Sequence, residues 1–306
     1  MRPPVAELTL GPIFFNWQPE TWRDFYFRVA DETAVSRVYL GEVICSKRAP
    51  LFAPHCAEVI ERLKGAGKAV VLSTLSEVTM SKDRELIESV CSVGDSLVEA
   101  NDASALLYLQ GRAHYVGPFV NVYNEETLSV LAGKGAESFC LAPELPGVAI
   151  RHLCDRAHKL NVLIEVQAFG RLSLALSGRC YHARLHDRTK DSCQFVCEND
   201  PDGLNLRTLD ERAFLTMNGI QTLSHEYVNL MSELPELRAL GVSRFRLSPH
   251  TCDMVMVASI FDSVIGERIT ADEGVAQLDA MQLPAPFANG FYHGKRGHLR
   301  VCSTAS

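Results

Sequence analysis

Nowhere in the 306-residue chain do about 18 apolar residues run without interruption, so the sequence offers no membrane-spanning helix. No secretory leader is expected either. The opening MRPPVAELTLGP has one Arg, then two prolines and a Glu, where a leader needs a continuous apolar stretch and a small-residue cleavage site. The expectation is a cytoplasmic protein. Positive charge is in deficit, with 30 Lys plus Arg against 37 Asp plus Glu and a net charge of −7, which argues against binding nucleic acid through bulk charge. Ten cysteines in 306 residues fall far short of a disulfide scaffold. In a reducing compartment, clustered thiols point to metal binding or catalysis rather than pairing.

Several familiar motifs are missing as well. No G-x-S-x-G elbow occurs, and no G-x-G-x-x-G follows the first candidate strand. His225-Glu226 begins a zinc-protease pattern whose second His is replaced by Asn229. Gly65-Ala66-Gly67-Lys68 and Gly133-Lys134-Gly135 lie between a helix and the next strand, which makes them helix stops and not phosphate loops.

What is present is alternation. Candidate strands at Glu7–Leu10, Arg37–Leu40, Ala69–Ser73, Ser96–Glu99, His114–Phe119, Ser138–Leu141, Val162–Gln167 and Arg244–Leu247 are separated by amphipathic helical stretches. Strand starts recur at the length of one βα unit until the seventh, after which about 50 extra residues intervene. This predicts an α/β fold, a (β/α)8 TIM-like barrel, with one domain over residues 1–306. The barrel carries a cysteine-bearing insertion after strand seven (about 170–226) and ends in a C-terminal tail (291–306). An open doubly wound sheet is the alternative. Either way the C-terminal ends of the strands form the functional face. Asn101, Asp102 and Asn121 fall there, with helix capping as their plainer explanation.

The insertion holds Cys180, Cys193 and Cys197 among charged and turn-forming residues, whereas Cys91, Cys140 and Cys154 sit in apolar runs as core cysteines do. Three free thiols on a solvated loop oxidise readily, and a metal that holds them as thiolates removes that liability. Cys45 is the best fourth ligand, because it follows the second strand and so shares a barrel face with the insertion. Cys56, Cys252, His182 and His186 are weaker candidates. The dispersed spacing fits an iron–sulfur cluster better than paired zinc knuckles, with zinc and unligated thiols still open. The radical-SAM spacing C-x3-C-x2-C is absent. Lys47, Arg48, Arg171, Arg179, Arg184, Arg188 and Lys190 surround these cysteines in sequence. Arg246 with Ser248-Pro249-His250 at the end of the eighth strand is a candidate anion site.

The stretches VYLGEVICSKR, VLSTLSEV and SGRCYHARLHDRTKDSCQFVC resemble the collagenase-like, U-type peptidase family. LGPIFFNWQPETWRDFY and the run Met217 to Thr222 are similar to its branch in oxygen-independent ubiquinone biosynthesis. The likeness extends from about Leu8 to Gly290. It implies a 4Fe-4S cluster on Cys45, Cys180, Cys193 and Cys197, and pairing with a larger UbiU-like sibling as a heterodimer. It also implies anaerobic hydroxylation of ubiquinone precursors, with prephenate as the oxygen source. Alternatives within the likeness are a non-catalytic cluster-binding scaffold or an RNA-hydroxylating or peptidase-like relative. The sequence shows no nucleophile with its base, so the peptidase label is not expected to describe an activity.

Overall fold

A computed structural model describes residues 6–94 and 96–302. The first five residues and the last four, which belong to the leader and tail readings, lie outside it. The chain runs β1 (Glu7–Leu10), α1 (Pro19–Glu32), β2 (Arg37–Leu40), α2 (Ala49–Gly65), β3 (Ala69–Ser73), α3 (Ser81–Cys91), β4 (Leu97–Ala100) and α4 (Ala103–Leu109). It continues through β5 (His114–Val116), α5 (Glu125–Ala132), β6 (Ala136–Cys140), α6 (Gly147–Leu160) and the long β7 (Leu163–Leu176). The insertion holds α7 (Tyr181–Arg184), β8 (Leu204–Arg207), β9 (Ala213–Asn218) and β10 (Gln221–Asn229). Then come α8 (Leu234–Leu240), β11 (Arg244–Leu247), α9 (Met254–Ile265), α10 (Ala271–Ala280) and β12 (Phe287–Ala288).

Strands β1 to β7 pair in order, all parallel, and β11 pairs in parallel with both β7 and β1. The sheet therefore closes into an eight-stranded barrel wrapped by helices, which settles the alternative of an open sheet. Short β-branched and aromatic runs make these strands, and the outward-facing residues bury against the helices in one apolar core. Helix α9 contributes Val257, Ile260, Phe261 and Val264 to that core, and truncating Phe261 to Ala costs about 3–5 kcal/mol. Among the described residues, no helix is long and apolar enough to cross a membrane.

The barrel interior is charged. Arg246 Nη2 lies 2.6 Å from both Glu99 Oε1 and Glu165 Oε2, with its guanidinium 3.8 Å from the Tyr39 ring centroid. Tyr39 donates to Glu165 at 2.6 Å, Ser73 donates to Glu99 at 2.9 Å, and Thr9 also donates to Glu165. Arg246 is thus consumed by two carboxylates at the barrel centre. It does not form an anion site with Ser248-Pro249-His250, and that expectation is corrected.

Beyond the barrel rim β7 continues past Gln167, where the sequence reading ended it, and pairs antiparallel with β10. Gly170 makes the continuation possible: its φ is +110°, and a Cβ there would lie 2.6 Å from Ser248 Cβ. Strands β10, β9 and β8 then form an antiparallel extension, joined by a two-residue turn whose first central residue is Gly219, φ +63°.

Candidate functional site

The four cysteines singled out by sequence line one small cavity at the C-terminal face of the barrel, with Arg48, Lys190 and Gly219 also in its wall. Cys45 arrives from the end of β2. Glu42 fixes that loop by accepting from the backbone N–H of Ile44 at 2.8 Å and of Cys45 at 2.9 Å. Ser46, one residue on, donates to Asp83 Oδ1 at 2.5 Å, which anchors the loop to the start of α3. Cys180 opens the single turn of α7, and its Sγ accepts from the N–H of Ala183 at 3.4 Å.

Cys193 and Cys197 flank a sharply wound segment in which Gln194 and Phe195 both adopt left-handed backbone, with φ of 47° and 55°. Such conformations cost non-glycine residues roughly 1–2 kcal/mol each and persist where surrounding structure enforces them. Here the winding turns both thiols toward one cavity. Lys47 Nζ is 3.6 Å from Cys193 Sγ and donates to the carbonyl of Lys190 at 2.7 Å. Arg188 donates to the carbonyl of Cys193 at 3.2 Å. Burial pushes the thiols of Cys45 and Cys180 up, so their thiolate forms need compensation from a metal or from fixed cations.

The spread of the sulfurs bears on what they fit. Among the described residues, the group of three ligand-type side chains with all ligand atoms within 4.8 Å of one another is His182, His186 and Asp200. No three of the four thiols are that close. A single zinc with Zn–S near 2.3 Å would hold its sulfurs about 3.8 Å apart, closer than the four thiols lie as a set. His182 and His186 do not line the cysteine cavity. His182 instead bonds Asp200, with Nε2 to Oδ2 at 2.9 Å. Of the other weaker candidates, Cys56 donates to its own helix at the carbonyl of Phe52, and Cys252 contacts Met254 Sδ.

The bland reading holds for Asp102, which caps α4 by accepting from the N–H of Ser104. It fails for Asn101, which is buried and bonds Thr74 and Glu99, and for Asn121, which ends a turn in left-handed backbone. Arg171 is drawn away from the cysteines to Asp202, at 3.5 Å. Asp202 accepts in turn from His250 Nδ1 and from the Tyr227 hydroxyl, each at 2.6 Å. The sequence reading missed this buried cluster and the His182–Asp200 pair, because both join residues distant in sequence. It also missed the turn at Gly219-Ile220, although a glycine at the first of two loop residues between strand-like runs is a hairpin signal.

Two further cavities lie on the same face. A pocket of about 300 Å³ at the barrel mouth is lined by Asn121, Tyr123, Glu144, Gln167 and Ser173 among apolar neighbours. A cavity of about 510 Å³, lined mainly by apolar residues including Leu145, Ile150, Val166, Phe214 and Phe291, adjoins it, and Pro143 and Leu174 line both. Phe14 at the mouth pocket packs in one apolar cluster with Ile220 and Cys180 of the cysteine cavity.

The solved structures that match the chain are distant. An enolase from Agrobacterium radiobacter is 13% identical with a TM-score of 0.37, over 55% of this chain and 46% of its own, so the chain spans under half of that relative. The tryptophan synthase complex from Pyrococcus furiosus is 11% identical with a TM-score of 0.40, covering 89% and 95% of the two chains. Dihydropteroate synthase from Xanthomonas albilineans is 12% identical with a TM-score of 0.41, covering 91% and 94%. The family model for peptidase family U32 matches residues 18–301, nearly the whole chain, and the protein belongs to that family.

Proposed function

We propose that the protein is an iron–sulfur subunit of an oxygen-independent hydroxylase for ubiquinone precursors, a UbiV-like chain working in the cytoplasm beside a UbiU-like sibling. One observation carries the reading: thiols from two segments far apart in sequence line a single cavity, spread more widely than one metal ion requires. Cys45, Cys180, Cys193 and Cys197 would hold a 4Fe-4S cluster, which supplies one-electron transfer when bound. The protein's own groups then have separate tasks. Glu42 and Ser46 hold the Cys45 loop, and the winding at Gln194 and Phe195 aims the other pair. The mouth pocket offers Asn121, Tyr123, Glu144 and Gln167 as hydrogen-bonding partners for a phenolic head, and the adjoining apolar cavity excludes water around a hydrocarbon chain.

Iron and acid-labile sulfide counts on anaerobically purified protein, with electron paramagnetic resonance after reduction, test the cofactor. Stoichiometric zinc in a colourless protein, or full iron in a Cys193→Ala variant, would overturn it. Co-expression with the sibling tests the heterodimer, which fails if the two elute separately with both clusters intact. Anaerobic quinone profiling of cluster-ligand variants that still bind the sibling separates catalysis from scaffolding.

A further inference from the structure

Arg48 is 1% exposed, and among the described residues no carboxylate lies within 4.0 Å of its guanidinium. Its Nη1 donates to the carbonyl of Phe14 at 2.7 Å and its Nη2 to Asn218 Oδ1 at 3.1 Å, both neutral acceptors, while Nε has no partner. Glu42 acts on it only from beyond salt-bridge distance, with its own carboxyl pushed up by burial, so the buried cation stays costly unless further negative charge faces it. What faces it is the cysteine cavity, whose wall it forms together with Cys45 and Cys197. Gly219 leaves room for this approach, since a Cβ there would lie 3.0 Å from Nη2. The preceding residue supplies a second cation from the rim, Lys47, 3.6 Å from Cys193 Sγ.

We infer that Lys47 and Arg48, beside a Lys190 whose Nζ lies 4.0 Å from Glu77, are fixed counter-charges of the cysteine site and set the potential at which the metal–thiolate group held there is reduced. The inference rests on the cofactor reading above. An iron–sulfur core with four thiolates is a net anion that gains one more negative charge on reduction. Fixed cations therefore favour the reduced form more than the oxidised one and raise the potential. Neither side chain touches the reacting atoms of a substrate, so both are positioning residues that act through the cluster.

The test is a redox titration, followed by electron paramagnetic resonance, of full-length protein reconstituted anaerobically, comparing wild type with Arg48→Gln, Arg48→Lys and Lys47→Met. Arg48→Gln is expected to shift the balance between reduced and oxidised forms about tenfold toward the oxidised, a fall of roughly 59 mV for one electron. Arg48→Lys recovers most of that shift, and Lys47→Met moves the balance the same way by about threefold. A packing role alone would lower iron content or melting temperature and leave the potential of the loaded fraction where it was, which overturns the inference. Should Arg48→Gln fail to fold, Lys47→Met on the half-exposed rim decides, and an unchanged potential there overturns it equally. Wild type that takes up no iron overturns this inference and the cofactor reading together. Iron-loaded variants with unshifted potentials overturn this one alone.

Discussion

His182 Nε2 lies 2.9 Å from Asp200 Oδ2 and joins the turn that follows Cys180 to the turn that follows Cys197. The imidazole is fully buried, and the backbone N–H of His182 donates to the carbonyl of Gly219 at 3.3 Å. One residue thus ties both cysteine-bearing segments to each other through its side chain and to the β9–β10 turn through its backbone. Replacing Asp200 with Ala leaves a buried ring nitrogen without its partner, at a cost of about 1–3 kcal/mol. The loss is expected to be local. Limited proteolysis should cut Asp200→Ala between residues 185 and 200 faster than wild type, while the far-ultraviolet circular dichroism of the barrel stays the same. Equal cutting rates would show that the pair does not hold the insertion.

Asp202 has the complementary task of fixing the insertion to the barrel. Burial pushes its carboxyl up, but His250, Tyr227 and Arg171 outweigh burial and hold it below the usual carboxylate range. A carboxyl depressed in the native state contributes its full stabilisation above the unfolded value, about pH 3.9, and loses it as pH falls through the native value. Asp202→Asn leaves the buried Arg171 guanidinium, 2% exposed, without an anion, and the expected cost at neutral pH is about 3 kcal/mol. Urea unfolding should show this gap in full at pH 6 and a narrowing gap below pH 4. A gap that stays constant with pH would mean the Asp202 charge is not what the cluster needs.

These relationships mark where sequence reading stops. The barrel strands were legible because each is a short apolar run bounded by helix signals. Residues 7–10, 37–40, 69–73 and 244–247 are read with the bounds the structure gives them. That Cys45 would meet the cysteines of the insertion was legible because a parallel barrel sends every strand's C-terminal end to one face. The extension of β7 was hidden by Gly170, which reads as a strand stop, although Leu172, Leu174 and Leu176 keep the period-two alternation beyond it. Arg246 misled for another reason. A cation at a strand end suggests an anion site, and only the closed barrel reveals that Glu99 and Glu165 from other strands already fill that role. The pairings of His182 with Asp200 and His250 with Asp202 depend on how the insertion folds back, which no local pattern encodes.

His114 gives the molecule an acid sensitivity unrelated to the cysteines. It is fully buried at the start of β5, its Nδ1 is 2.8 Å from the carbonyl of Arg112, and its Nε2 has no partner. Burial lowers its pKa, with the Arg112 carbonyl opposing in part. The native ring is therefore neutral where the unfolded ring, near 6.5, begins to bind a proton. Stability is complete above about pH 6.5 and falls as pH drops toward the native value, by up to about 1.4 kcal/mol per pH unit for one such group. His114→Gln should flatten the decline of the urea midpoint between pH 7 and pH 5.5. His225, lowered in the same direction by burial, keeps some slope in the variant. An unchanged slope would assign the acid sensitivity elsewhere.

The proposed function makes its most direct prediction about substrate at the two adjoining cavities. Phe214 lines the apolar cavity and not the polar mouth pocket, and at 56% exposed it can be changed without opening the core. Phe214→Asp places a charge on the apolar wall alone. A bound hydrocarbon chain would have to desolvate that charge, whereas a small polar ligand confined to the mouth would not. A prenylated phenol used as probe should therefore bind the variant at least tenfold more weakly than wild type, and the unprenylated phenol should bind both alike. The melting temperature should stay within 2 °C, roughly the effect of a surface substitution. Isothermal titration with the two phenols reads the difference. Equal weakening of both would place the chain outside the apolar cavity, and equal retention of both would leave that cavity without a part in substrate binding.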